Sequence, residues 1–412
     1  MVRIRPFPAI RPLANIAAQV ASSPYDVVST EQARRLAADN PRSFLHVVRS
    51  EIDLPAGIDP HDDAVYTKAG ENLQRLITDG VLVREDEPKM YLYRLVMNGR
   101  RQTGLVCCCH TDDYARNVIK KHEKTRPDTE DDRTRHVLAV GAHTGVVSLT
   151  YRDQPDIDSL FQQDVNARPL FHFNAAEANG TEVTHTVWTV NDPSPYCDLF
   201  SSLDAAYVAD GHHRAASATR AAIQRSAANP NHGDEEYNWF LAALFPASEL
   251  TILPYHRLVA DLAGQTAEHV LERLGALGTL TSTDQPQPQR PGEFGIYLRG
   301  SWHRLALDAA TIDHADPVKS LDIALLQERV LEPILGIGDA RLDPRIDFVG
   351  GSHGIDELQR RVDAGQAVIA FSLYPTSIEQ LLRVADAALV MPPKSTWFEP
   401  KLRSGLFVHT FD

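Results

Sequence analysis

The residues best suited to chemistry stand together at Asp210-Gly211-His212-His213-Arg214. The apolar run before them, residues 203–209, has the composition of a buried strand, and Asp210–Gly211 is a tight turn. From His212 onward, alanines at 215, 216, 218, 221 and 222 predict a helix with one small, close-packing side. The chain thus runs strand, glycine turn, helix N-terminus. Exposed backbone N–H groups and the positive end of the helix dipole make such a terminus an anion site. Cations in the first helical turn have the wrong sign for that dipole, so His212, His213 and Arg214 are expected to serve an anionic ligand. A phosphate held by the backbone of Gly211 to Arg214 fits these residue types, with Arg214 as a fork-shaped donor and the histidines beside it. A capped helix whose polar first turn faces water is the plainer alternative.

Phosphoryl transfer asks little covalent chemistry of a protein. It needs phosphate charge neutralised, usually by Mg²⁺ with Arg or Lys, and a carboxylate to receive a hydroxyl proton. Lys120, Lys121 and Arg126, in the charged stretch 112–136, and Lys394, in MPPKST, are the candidate cations. Asp26, Glu123 and Asp210 are the candidate catalytic carboxylates, and Glu123 and Asp210 are also candidate Mg²⁺ ligands. Mg²⁺ with ATP or ADP is the expected cofactor. The charged stretch reads equally as a solvated helix face, and Lys394 as part of a tail anchored by Trp397 and Phe398. His212 and His213 are adjacent and point about 100° apart on a helix, so they do not make one metal site. A second glycine turn, Gly350-Gly351-Ser352-His353-Gly354, resembles a phosphate loop without its Lys-Ser/Thr ending.

The elements that must hold these residues can be read in outline. Ser29 is an N-cap for a helix over 30–39, with Gln32 three residues on. Residues 44–49 are a strand-like run. Residues 64–79 form an amphipathic helix with Val65, Ala69, Leu73 and Leu76 on one side, closed by Gly80. Runs 90–97 and 102–109 flank Asn98–Gly99, a hairpin signal. The helix within 112–136 is expected to break near Arg126–Pro127. Strands follow at 137–151 and 183–190. Later come a helix at 265–274, a linker at 279–291, a hairpin at 295–307 and a long helix at 319–331. The chain then alternates strand 346–349, helix 355–364, strand 367–373 and helix 377–387. The expected fold is mixed α/β: mixed sheets with flanking helices and a smaller inserted subdomain. The expected division is an N-terminal α/β region at 1–136 and a core with the glycine turn at 137–262. An insertion at 263–318 and a C-terminal α/β segment at 319–412 complete it.

Composition sets the outer bounds. With 43% hydrophobic and 23% charged residues among 412, the chain has the profile of a soluble globular protein. No apolar run reaches the ~18–20 residues that span a bilayer, and MVRIRPFPAIRPL lacks the apolar centre of a signal peptide. A cytoplasmic protein with no membrane partner is expected, and a homodimer is compatible with the sequence. The 41 Lys and Arg against 55 Asp and Glu leave a formal charge of −14, which argues against nucleic acid as a partner. Cys107, Cys108, Cys109 and Cys197 form no C-x-x-C pair and read as buried free thiols of a reducing compartment.

Several stretches together resemble the bacterial and archaeal "domain of unknown function 1015" family. They are RPFPAIRP, SPYDVVS, NPRSFLHVVR with EIDLP, IKKHEKT with EDDR, YVADGHHR, ILPYHRLV and MPPKSTWFEPKL. Pro24-Tyr25-Asp26 follows two serines here, where the family more often has a second proline. The strand–DGHHR–helix element is also similar to the G-x-H-R box of the ParB/sulfiredoxin superfamily, which includes nucleotide-binding segregation proteins, sulfiredoxin and free-serine kinases. That resemblance reaches Asp210, Gly211, His213 and Arg214 and implies nucleotide-phosphate binding there. It implies a nucleotide-dependent phosphotransferase acting on a small hydroxylated metabolite or amino acid. A phosphatase on a small ester such as phosphoserine would use the same parts with water as acceptor. A ParB-like nucleotide-binding regulator is the non-enzymatic alternative, against which the acidic charge and the lack of a basic recognition helix weigh.

Overall fold

Asn98 and Gly99 both take positive φ, 51° and 76°, the geometry that closes a two-residue hairpin with the twist its strands require. In the computed structural model, which describes residues 1–177 and 180–411, this hairpin is the middle of a nine-stranded mixed sheet. In chain order its strands are β1 (Ile4–Arg5), β2 (Tyr91–Met97), β3 (Arg100–His110), β4 (Ile119–Lys120) and β5 (Val147–Tyr151). They continue with β6 (Phe171–Ala176), β7 (Glu182–Thr189), β8 (Ala206–Asp210) and β9 (Trp239–Pro246). The spatial order is β4-β8-β5-β9-β3-β2-β7-β6, with β1 on β3. The pairs β4–β8 and β5–β9 are parallel, and β5–β8 is antiparallel.

One face of the sheet buries Leu105, Leu149, Val208, Phe240 and Leu244 in a common core. Cys107 and Cys109 join it, while Cys108 is buried as the strand alternation turns it to the other face. Burial pushes the Cys107 and Cys108 thiols well up, so they behave as packing groups.

Four helices matter to the site: α1 (Thr30–Ala37), α2 (Asp63–Thr78), α3 (Pro127–Val140) and α4 (His212–Ala228). Ser29 and Gln32 form the capping box of α1. Val65, Ala69, Leu73 and Leu76 are the buried side of α2. Ala215, Ala216, Ala218, Ala221 and Ala222 are buried on α4, and their small side chains let α4 lie close against α3. The chain end returns to this unit: His409–Thr410 pairs antiparallel with Ala142–His143.

The contacts divide into two units, residues 1–250 with 400–412, and residues 251–399. The expected boundaries lay instead at 136–137, 262–263 and 318–319. The first unit's sheet draws strands from both sides of 136, since β4 pairs with β8. The second unit is built on six antiparallel strands, β10 (Tyr255–Val259), β11 (Gly278–Ser282), β12 (Glu293–Leu298), β13 (Ser301–Leu307), β14 (Ile346–Gly350) and β15 (Ile369–Leu373). Their order is β11-β13-β12-β15-β10-β14. Val259, Phe294, Leu305, Leu326, Ile369 and Phe371 form its core, with α5 (Gly354–Asp363) and α6 (Ile378–Asp386) as flanking helices.

Several sequence expectations need correction. Residues 44–49 contain a helical turn, Leu45–Val48, in place of a strand. Short apolar runs do not distinguish the two, and here packing against α2 decides, with Asn72 donating to the His46 carbonyl at 2.7 Å. The charged stretch holds a short helix, Thr111–Ala115, then β4, and Arg126–Pro127 starts α3 where a break was expected. Proline suits the first helical position because its missing N–H has no partner there anyway. Accordingly α3 occupies residues 137–140, read as strand. Gly278–Ser282 is an edge strand inside the supposed linker. The long helix at 319–331 is an α segment, Asp322–Leu326, followed by a π-helical turn to Leu331. Among the described residues no helix is long and apolar enough to cross a membrane.

Candidate functional site

The strand that carries the motif is irregular at its end. β8 pairs with β5 through Tyr207–Thr150 and Val208–Leu149, then through Asp210–Ser148, which leaves Ala209 as an extra residue. Such a bulge re-aims the side chain that follows it. Gly211 comes next with φ 94° and is the N-cap of α4, which has no side-chain cap. The N–H groups of the first helical turn are thus left without the side-chain oxygen that usually serves them.

Arg214 lies beneath this turn. A Cβ on Gly211 would stand 2.8 Å from its Nε, and a Cβ on Gly145 would stand 3.1 Å from its Cδ. The guanidinium is clasped between two glycine backbones and is 10% exposed. Its Nη2 donates to Asp210 Oδ2 at 2.7 Å and its Nη1 to the Val146 carbonyl. Asp26 Oδ2 lies 4.0 Å from Nη2. The other oxygen of Asp210, Oδ1, accepts from Lys401 Nζ at 3.2 Å. Burial alone would raise the Asp210 pKa, but Lys401 and Arg214 hold its carboxyl well below the usual range. A carboxylate so held is a weak base. Its two oxygens are turned to cations, a poor setting for the Mg²⁺ expected there.

The two motif histidines diverge. His213 Nε2 accepts the Arg126 backbone N–H at 3.0 Å, which ties the start of α3 to the start of α4. His212 is buried against His122, the rings edge to face with centroids 4.4 Å apart. Its Nδ1 stands 3.9 Å from Glu123 Oε2. Burial pushes His122 down to about 4 and His212 well below the ordinary imidazole value, so both are neutral near pH 7. His122, Glu123 and His212 each offer one ligand atom, all within 4.8 Å of one another. Among the described residues this is the group that can hold a metal.

The remaining candidates are dispersed. Lys121 Nζ donates to the Tyr114 carbonyl at 3.0 Å and lies 4.2 Å from that ring. Lys120, on β4, has its ammonium 5.7 Å from the Tyr207 ring. Arg126 donates to Thr129 Oγ1 at 2.9 Å. Lys394 belongs to the second unit, with φ 56° and its Nζ 5.5 Å from the Tyr255 ring.

A cleft of about 220 Å³ is lined among others by Tyr25, Arg49, His61, Arg126, Asp132 and Arg133, and meets the turn through Arg126, whose backbone N–H bonds His213. Arg133 stacks on the Tyr25 ring at 4.3 Å. Burial, and then Asp26, pushes the Tyr25 phenol up to about 12. Asp132 accepts from the Tyr66 hydroxyl at 2.7 Å and lies 2.9 Å from His61 Nδ1. The lining carries both signs of charge and suits a small polar, ionised molecule.

Sequence reasoning missed Lys401, His122, Tyr25 and Arg133. Lys401 stands in the same MPPKSTWFEPKL stretch as Lys394, and His122 is next to Glu123, so each signal was one position or one motif away.

The family described as "Protein of unknown function (DUF1015)" matches residues 4–324. The comparison with curated proteins finds no match. Three solved structures align over 74% of this chain. A free serine kinase in complex with AMP does so at 13% identity and TM-score 0.34, over 92% of its own chain. SbnI with a C-terminal truncation, from Staphylococcus aureus, does so at 11% and 0.40, over 87% of its chain. A conserved hypothetical protein from Pyrococcus furiosus does so at 13% and 0.33, over 95% of its chain.

Proposed function

The chain belongs to the DUF1015 family, and we propose that it is a nucleotide-dependent phosphotransferase acting on a small hydroxylated metabolite or amino acid. One observation carries this reading. The uncapped first turn of α4 is where Asp26, the Arg126 backbone, Asp210, Arg214 and Lys401 meet, brought from four separate parts of the sequence. Uncapped N–H groups with cations behind them neutralise phosphate charge. In this reading the phosphates lie on the turn, and Mg²⁺ would enter with the nucleotide, held by its phosphate oxygens. Arg214, locked to Asp210, fixes the turn and supplies a positive field behind it. Asp26, the more exposed carboxylate beside it, is the acceptor for the hydroxyl proton. The mixed-charge cleft next to Tyr25 takes the metabolite.

ATP, ADP and CTP with Mg²⁺ are added separately to the full chain, and the melting temperature is followed. At least one nucleotide raises it, and Arg214→Lys, which keeps the charge and loses the fork, reduces the rise. Asp26→Asn keeps nucleotide binding and stops turnover, read by phosphorus NMR on mixtures of nucleotide with hydroxylated amino acids. A wild type that no nucleotide shifts refutes the reading.

A further inference from the structure

Two histidines lie buried where the loop after β4 meets the start of α4. His122 is 1% exposed and His212 5%. Neither ring nitrogen of His122, nor Nε2 of His212, has a partner at hydrogen-bonding geometry. A Val208 backbone interaction reaches the His122 ring, short of full hydrogen-bonding geometry. Buried imidazole nitrogens are ordinarily hydrogen-bonded, because burying a polar atom without a partner costs about 1–3 kcal/mol. Here several unpaired nitrogens face one another, and a carboxylate stands at the open side: Glu123 is 44% exposed and 3.9 Å from His212 Nδ1. A cation bound to one nitrogen of each ring would give His122 a partner it otherwise lacks and draw in the Glu123 carboxylate from the open side.

We propose that His122, Glu123 and His212 bind a divalent transition-metal ion of the zinc class. Two nitrogens and one carboxylate oxygen are the donor set of such ions, whereas Mg²⁺ demands oxygen ligands. The ligand atoms fall within 4.8 Å of one another. Zn–N bonds of ~2.0–2.1 Å place tetrahedral ligands about 3.3 Å apart. Rotation of the Glu123 side chain, the exposed member, shortens its 3.9 Å approach to His212 Nδ1. Three protein ligands leave a fourth position for water or a ligand oxygen, the arrangement of an open zinc site. Glu123 is then a metal ligand, and the proton-accepting role stays with Asp26. The site stands on these three side chains and does not need the phosphotransferase reading.

The test uses the full chain, stripped with EDTA, dialysed and titrated with ZnCl₂ by calorimetry, with metal content measured after dialysis. One zinc per chain is expected, retained in excess MgCl₂, and Co²⁺ in its place gives visible d–d bands. Glu123→Gln, an exposed substitution that leaves the buried packing intact, lowers zinc affinity at least tenfold. His212→Ala abolishes binding at unchanged circular dichroism. A wild type that binds no zinc, or a Glu123→Gln variant that binds it as tightly as wild type, overturns the proposal. Because no nucleotide is present, failure here is distinct from failure of the phosphotransferase reading.

Discussion

Two strand–glycine–helix turns occur in this chain and differ in what surrounds them. Neither helix has a side-chain cap, but at Gly211 the turn is bulged and backed by Asp210, Arg214 and Lys401. At Gly350–Gly351 the glycines serve close packing. A Cβ on Gly350 would stand 3.0 Å from the Trp397 ring, and one on Gly351 would stand 2.7 Å from Pro254. The helix after it, α5, carries Asp356 and Glu357 in its first turn, which already complement its dipole and repel an anion. A glycine before a helix is thus an opportunity for an anion site. The charges that tertiary contacts gather around it decide whether the opportunity is used.

The two turns should differ most in the effect of removing an acid. Asp210→Ala strands Arg214 and Lys401 together. It should cost about 2–3 kcal/mol in urea denaturation, less than the ~3–5 kcal/mol of a fully buried pair because this carboxylate is part-exposed. Asp356→Ala, at an exposed position of the other turn, should cost only about 0.3–1 kcal/mol, the loss of its helix-dipole interaction. Equal losses would mean that the network at Asp210 is not structural.

Next come the glycines. Gly211→Ala must hold φ 94° with a side chain, at about 1–2 kcal/mol. Gly351→Ala overpacks Pro254 at about 1–3 kcal/mol. The stability losses are similar, but the ligand response should separate them. Nucleotide should no longer raise the melting temperature of the Gly211 variant and should still raise that of the Gly351 variant. Loss of the response in the Gly351 variant would make the second turn a ligand site too.

The effects of pH are spread over several pH units and are the smallest per step, and one buried group from each unit acts in opposite directions. Burial, and then Arg133, lowers His136 to about 4, and its Nε2 lies 3.1 Å from the Val47 carbonyl. The unfolded chain binds its proton more readily, so this contribution is full above about pH 6.5 and is lost as pH falls toward about 4. Burial raises Asp322 to about 7. The native state then keeps the proton, so stability is greatest below about pH 3.9 and declines as pH rises through about 7. His136→Gln should flatten the acid-side fall and Asp322→Asn the fall toward neutrality, each by at most about 1.4 kcal/mol per pH unit. Denaturation midpoints measured from pH 4 to pH 8 check both signs.

Much of the architecture was legible because it rests on neighbours in sequence. The capping box at Ser29, the apolar side of α2, the Asn98–Gly99 turn and the alanine face of α4 depend on residues one to four positions apart. Legibility failed where a segment's choice lay with distant partners, as at residues 44–49 and at β4, whose two residues are a strand only because β8 pairs with them. The candidate site divides in the same way. Asp210, Gly211, His213, Arg214, Arg126 and Asp26 were identifiable by type, and the structure brings them together. Lys394 was a reasonable choice from its motif, but Lys401 is the lysine that reaches Asp210.

A polar glycine turn opening a small-faced helix, an acidic charge balance and residue types suited to phosphate are legible in the order of residues. That Arg214 faces inward to Asp210, that His212 turns to His122 while His213 turns to Arg126, and that Lys401 completes the network came from tertiary packing. The difference is one of range. Helix starts, caps and turns are set by dihedral preferences and hydrogen bonds over a few residues. The Lys401–Asp210 contact joins positions 191 residues apart, and only the packing of the intervening chain can specify it.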